Sequence, residues 1–152
     1  MKNQRFESFS IVISQIIKSL QSIKSHKMAE YGLKGTTCTC LCHIFRSEDG
    51  LNAGELAQLC EIDKAQVSRC VSELCEKGFI YRDDREGRRY KQKYRLTENG
   101  MKAARDVVLT LQGLQAKVTA GISAEELDVF QGVLRKLCNN YSALAAENES
   151  QT

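Results

Sequence analysis

The sequence predicts a mostly α-helical fold with a single small β-hairpin, and three observations predict it. Apolar residues recur at helical spacing in each long segment, two short helical segments stand only two residues apart at Glu61 and Ile62, and the stretch Tyr90 to Leu96 alternates at the period of a strand. The 152 residues contain no proline, so nothing kinks or stops a helix from within. A chain of this length is one domain by expectation and buries roughly 70% of its unfolded surface.

Taken in order, Phe6 to about Lys27 carries Phe6, Phe9, Ile13, Ile16, Ile17, Leu20 and Ile23 on one helical stripe, with Ile11 and Val12 off it. The second apolar edge predicts packing on the chain's own core and on another subunit, a broad monomer-core stripe being the alternative. Tyr31 to Gly35 reads as a loop. Thr36 or Thr37 then caps a helix running to about Arg46 with Leu41, Ile44 and Phe45 inside, and Ser47 to Gly50 ends it. Asn52 caps a short helix with Glu55 at its third position and Leu56 and Leu59 buried.

Asp63 to Lys77 is the segment around which the rest is organised. Asp63 is a good N-cap, Gln66 completes a capping-box pattern, and Val67, Val71 and Leu74 form the packing stripe with Cys70 at its edge. The opposite face carries Ala65, Arg69, Ser72 and Glu76, flanked by Gln66, Ser68 and Glu73. Lys64, Gln66, Ser68 and Arg69 cluster in the first two turns, where the positive end of the helix dipole and unpaired N–H groups also lie. That polarity suits a helix whose N-terminal residues enter a DNA groove. An ordinary solvated helix face is the bland alternative.

Gly78 stops this helix. Phe79 to Arg82 follows as a strand, Glu86-Gly87 as a charged turn, and Tyr90 to Leu96 as the returning strand, with Lys91, Lys93 and Arg95 on one face and Tyr90, Gln92, Tyr94 and Leu96 on the other. The two short helices and this hairpin make a winged helix-turn-helix. Thr97 caps a helix from Glu98 to about Thr119, with Met101, Ala104, Val108, Leu111 and Val118 as its apolar residues, and Gly121 breaks it. Ser123 and Glu126 open a last helix carrying Leu127, Phe130, Leu134, Leu137, Tyr141 and Leu144, and Glu147 to Thr152 reads as a frayed tail.

Composition narrows the function classes. The net charge is +3, yet residues 82 to 95 hold seven basic residues against three acidic ones, a local +4 that leaves the remainder at −1. The basic character is therefore one patch, on the hairpin, as a nucleic-acid footprint requires. Phe6 to Leu20 is amphipathic with no cleavage site and cannot span a membrane, so no membrane partner is expected and the cytoplasm is the expected location. Seven cysteines, an odd number, then belong to a reducing compartment and not to a disulfide framework. No Ser-His-Asp, paired-carboxylate or phosphate-loop arrangement accompanies the two histidines, so an enzyme is not expected, nor is a cofactor.

Three further hypotheses attach to polar and sulfur residues. Cys38 and Cys42 share a helix face, with Cys40 pointing elsewhere and His43 about 100° from Cys42, and a metal site there would need two further ligands from another element, His26 or Glu30 being the nearest by position; the favoured reading is a buried stripe of Cys38, Leu41, Cys42 and Phe45 with no metal bound. Cys70, or Cys60 with Cys75, could sense oxidants, though no adjacent basic group is evident to activate them. A winged helix that binds protein instead of DNA is the remaining alternative.

The run LNAGELAQLCEIDKAQVSRCVSELCEKGFIYRDD, the basic hairpin and YRLTENG together resemble the MarR family of bacterial winged-helix regulators, and the order of flanking helices is similar over the full length. The resemblance implies a winged helix-turn-helix lobe at about 33–97 flanked by dimerisation helices at about 5–30 and 98–146, all within one domain, 1–152. It implies a homodimer bound to double-stranded DNA at a palindromic operator, a repressor released by a small-molecule effector. Residues matching Lys64, Gln66, Ser68, Arg69 and Ser72 would meet the major groove. Lys91 and Lys93 would meet the backbone, and one of Arg85, Arg88 and Arg89 the minor groove; this hairpin is longer than the family's usual wing, which leaves the choice among them open. An effector crevice would involve Tyr31, His43 and Arg46.

Overall fold

The computed structural model describes residues 2–83 and 92–149, and side chains within 8–83 and 92–148. The chain divides into two compact units, 1–112 and 113–152. The helices are α1 (Lys2–Ala29), α2 (Cys38–Arg46), α3 (Ala53–Cys60), α4 (Lys64–Glu76), α5 (Glu98–Val118) and α6 (Ala124–Glu149). A 3₁₀ turn, Gly35–Thr37, leads into α2, and the strands β1 (Ile80–Asp83) and β2 (Lys93–Leu96) lie between α4 and α5. The mostly helical fold with one antiparallel hairpin is thus as the sequence predicts.

Local chemistry accounts for most of the element ends. Asn52 and Glu55 form a reciprocal capping box, with Glu55 N–H donating to Asn52 Oδ1 at 2.9 Å and Asn52 N–H to Glu55 Oε2 at 2.7 Å. Asp63 Oδ1 accepts the Gln66 N–H at 2.7 Å. Gly78, at φ 74°, closes α4 with the paired bonds of a Schellman motif, Phe79 N–H to Leu74 O at 2.9 Å and Gly78 N–H to Cys75 O at 3.0 Å. Ser123 and Glu126 cap α6 in the same reciprocal way as Asn52 and Glu55. Thr37 departs from expectation: it precedes α2 in helical conformation and its hydroxyl donates back to Lys34 O at 2.7 Å, so no side chain caps α2. At the other end of the chain α6 continues through Glu147 to Glu149 where a frayed tail was expected.

The core of the first unit sits among α2, α3, α4, β1 and the first half of α5. Leu41, Ile44, Leu56, Val67, Leu74, Ala104 and Val107 are fully enclosed there. Three apolar expectations are corrected. Leu59 is 49% exposed, because α3 turns Leu56, Ala57 and Cys60 inward and leaves its neighbour outside. Ile16, Ile17 and Leu20 do not join the core: among the described side chains of α1 it is Met28, near the C-terminal end, that enters it, and those three are exposed together with Ile11 and Val12. Met101 and Val118 are likewise exposed, since α5 buries Ala103, Ala104, Val107 and Val108 instead. In the second unit, α6 leaves Val129, Phe130, Val133, Leu134 and Leu144 exposed.

The turn between α3 and α4 contains one strained residue. Glu61 ends α3 in the left-handed region at φ 52°, ψ 44°, a conformation that costs a residue bearing a Cβ about 1 kcal/mol or more. Glycine adopts it without that cost but loses more chain entropy on folding. Glu61→Gly is therefore expected to stabilise the protein by about 0.5 kcal/mol in urea denaturation, and a loss of stability would show that the Glu61 side chain contributes contacts that outweigh its strain.

Candidate nucleic-acid interface

The N-terminal half of α4 presents Lys64, Gln66, Ser68 and Arg69 to solvent, with Ser72 one turn further on, while Val67, Cys70, Val71 and Leu74 anchor the other face. Among the described residues no ion pair holds Lys64 or Arg69, so both cations are available to an external anion. The Asp63 cap satisfies one N–H of the first turn, and the others open to the same side as the cations. Gln66, Ser68, Arg69 and Ser72 line an open groove of about 780 Å³ whose far wall includes Lys34 and Thr36.

The second half of α4 has a different task. Glu73, expected from the sequence to flank the solvated face, accepts the Lys34 N–H at 2.8 Å and pairs with Lys77 at 3.8 Å. Lys77 Nζ in turn donates to Gly32 O. These contacts pin the loop 31–35 against α4 and put Lys34 beside the groove. Sequence reasoning missed Lys34, because the contact that places it joins residues 39 positions apart.

The wing is described at its base only. β1 and β2 pair antiparallel from Ile80 opposite Leu96 to Asp83 opposite Lys93, and Tyr94 exchanges backbone hydrogen bonds with Leu51 at 2.8 and 3.2 Å. Tyr94 is buried, and Arg82 lies 5.7 Å from its ring centre. Arg95, expected on one strand face with Lys91 and Lys93, is used internally: it pairs with Asp83 at 2.8 Å and donates to Glu48 O at 3.2 Å, tying the hairpin to the segment after α2. Lys93 is half-buried at the strand's start. Arg85, Arg88, Arg89 and Lys91 lie outside the described residues.

The hairpin is joined to α5 by Leu96-Thr97 and Gly100. Thr97 Oγ1 donates to Gly78 O at 2.7 Å and accepts the Gly100 N–H at 3.0 Å, while Thr97 N–H reaches Phe79 O at 3.0 Å. One threonine thus fastens the end of the wing, the end of α4 and the start of α5.

Of the effector candidates, Tyr31 is already engaged. Its hydroxyl donates to Asp106, its ring packs edge-on against Phe79 at 6.1 Å, and Lys27 bridges Asp106 at 2.6 Å and Glu30 at 2.8 Å. His43 and Arg46 lie instead on the last turn of α2, where burial, with a smaller contribution from Arg46, lowers the His43 pKa. The Lys27 ammonium, then the Tyr31 hydroxyl, holds the Asp106 carboxyl below its usual value of 3.8. A depressed carboxylate contributes stability above its unfolded pKa and loses it as pH falls through the folded value. Wild type and Asp106→Asn are therefore expected to differ in melting temperature at pH 7 and to converge as pH falls below about 3.8; a constant difference would place the effect in packing and not in charge.

The cysteines of α2 are buried on all sides: Cys38, Cys40 and Cys42 are each at most 5% exposed, and Cys40, expected off the buried stripe, is fully enclosed. Among the described residues no group of three His, Cys, Asp or Glu side chains is arranged to hold a metal ion. His26 is engaged with Ser22 O at 3.0 Å and Glu30 with Lys27.

A capped helix pair, a polarised second helix, a basic hairpin and flanking long helices define a winged helix-turn-helix protein. Residues 31–89 match the MarR family model. The family is one of transcription regulators and not of enzymes. Solved structures extend the fold likeness beyond that segment. A MarR family transcription regulator superposes with a TM-score of 0.80 at 17% identity over 96% of each chain. MepR of S. aureus in its DNA complex gives 0.78 at 18%, over 88% of this chain and 96% of that one. A putative MarR family regulator from Listeria monocytogenes, complexed with a 26mer DNA, gives 0.75 at 21%, over 84% and 85%.

Proposed function

We propose that this protein is a homodimeric, sequence-specific DNA-binding repressor that sits on a palindromic operator and is released by a small-molecule effector. The observation that carries the reading is the exposed, unpaired cationic and amide-bearing half of α4, on a helix whose other face is locked into the core. Lys64, Gln66, Ser68, Arg69 and Ser72 enter the major groove. Gln66, with Lys64 or Arg69, reads base edges; Ser68, Lys91 and Lys93 contact the backbone, and one of Arg85, Arg88 and Arg89 enters the minor groove. The DNA complexes of two proteins with the same fold support this docking.

The apolar residues that α1 and α6 leave exposed support the homodimer, since monomers rarely leave so many large apolar side chains in water. The effector enters a crevice near Tyr31, His43 and Arg46, where displacing Tyr31 from Asp106 would loosen α1 from α5. Location in the cytoplasm accompanies the reading, and no helix among the described residues is long and apolar enough to cross a membrane.

Fluorescence anisotropy against palindromes upstream of the protein's own gene and against random duplex, across a salt series, tests the proposal. Tight binding to one palindrome whose log affinity falls by about 0.9 per log salt for each phosphate neutralised is the expected result. No binding to any duplex at low salt would overturn it and favour a protein partner for the same helix face.

A further inference from the structure

Three cysteines distant in the sequence meet behind the helix-turn-helix. Cys40 on α2 and Cys60 at the end of α3 have their sulfurs 3.7 Å apart, and Cys70 of α4 belongs to the same group, its thiol donating to Thr36 O at 3.4 Å. The sequence offered Cys60 with Cys75 as a redox pair, but the structure brings Cys60 to Cys40. Cys40 is enclosed and Cys60 is half-exposed, so one member of the pair can be reached from solvent and the other waits behind it.

We propose that Cys40 and Cys60 are a reversible oxidation site for peroxides, forming an intrachain disulfide that links α2 to α3. The sulfurs must approach from 3.7 Å to the bonded distance of about 2.05 Å. The Cys60 thiolate attacks one peroxide oxygen, the O–O bond breaks, and the alcohol or water leaves after taking up a proton. Cys60 is then a sulfenic acid. The Cys40 sulfur attacks it, the Cys40 proton goes to the departing hydroxyl, and water leaves as the S–S bond forms. Two thiols lose two electrons in all, and the peroxide gains them.

The neighbours shape the rate. Burial pushes the Cys60 thiol above its ordinary pKa, a shift the Cys40 S–H partly offsets by hydrogen bonding to the sulfur. The site therefore answers sustained peroxide and not traces of it, and faster as pH rises. Cys70 is drawn down to about 7 chiefly by the Cys40 S–H, with burial and Glu73 opposing and Arg69 assisting. A disulfide at Cys40 removes that donor. Because Cys60 immediately precedes Glu61 and the turn into α4, the cross-link acts on the element that sets the angle between the two short helices.

The site does not depend on DNA binding, and the test is chemical. The full-length reduced chain is treated with hydrogen peroxide, remaining thiols are capped with N-ethylmaleimide, and the protein is digested without reductant for mass spectrometry. The expected product has lost two hydrogens per chain, carries one link between Cys40 and Cys60, and returns to the thiols with dithiothreitol. Cys60→Ser removes the link, whereas Cys75→Ser, a half-buried thiol outside the pair, leaves both link and rate unchanged. From about pH 7 to 8 the rate should rise close to tenfold, as the thiolate fraction does. A link from Cys40 to Cys70, a link between chains through Cys138, a sulfinic acid at Cys60 with Cys40 still a thiol, or thiols that react only on unfolding would each overturn the proposal. The mapping on the unmutated chain decides this even if a variant folds poorly.

Discussion

Gly100→Ala is expected to destabilise the protein by about 3 kcal/mol or more and to lower its melting temperature by roughly 10 °C. Helix propensity alone predicts the opposite sign, since alanine in a helix interior gains about 1 kcal/mol over glycine. Packing outweighs it here. A Cβ built at Gly100 would stand 1.8 Å from Phe79 O, 2.8 Å from Phe79 C and 3.2 Å from Leu96 Cδ2. The carbonyl cannot swing aside, because Phe79 O accepts the Thr97 N–H and Thr97 in turn holds Gly78 O. Relieving the clash would therefore separate α5 from the base of the wing. Gly113→Ala on the same helix is the internal control: nothing lies within 4 Å of its Cβ, so it should gain about 0.5 to 1 kcal/mol. Thermal melts in which both variants rise would show that the close approach at Gly100 does not constrain the fold.

The Leu-Thr-x-x-Gly pattern at Leu96 to Gly100 was legible as a motif, but its cause became visible only with Phe79 beside it. That division runs through the molecule. Asn52 with Glu55, Asp63 with Gln66, Ser123 with Glu126 and Gly78 all act within a few residues of themselves, and the sequence announces each of them. Contacts between Lys34 and Glu73, Tyr31 and Asp106, or Cys40 and Cys60 span 39, 75 and 20 positions, and no local pattern records them. Periodicity likewise tells that Leu59 or Ile17 is on an apolar face without telling what covers it. For α4 the sequence sufficed, because four buried residues fix the helix's rotation and thereby which side chains face outward.

Gln66→Ala should separate base reading from electrostatic attachment. Gln66 is exposed in the first turn of α4 and contributes to the fold only through its backbone N–H, which bonds Asp63 whatever side chain it bears. Alanine is also a good helix former, so the variant should melt within about 0.5 kcal/mol of wild type. A glutamine side chain bonding both N6 and N7 of an adenine discriminates by about 1 to 3 kcal/mol, a loss of roughly five- to 150-fold on the preferred duplex. Binding to random duplex should be unchanged, because the amide carries no charge and releases no counterion. Arg88→Ala in the wing should do the reverse, weakening all sequences alike and reducing the salt slope by about 0.9. Measured together across one salt series, the two variants give opposite signatures. Equal losses for Gln66→Ala on preferred and random DNA would remove it from the base-reading set, and the discrimination would then have to come from Lys64 or Arg69, the exposed cations on the same half of the helix.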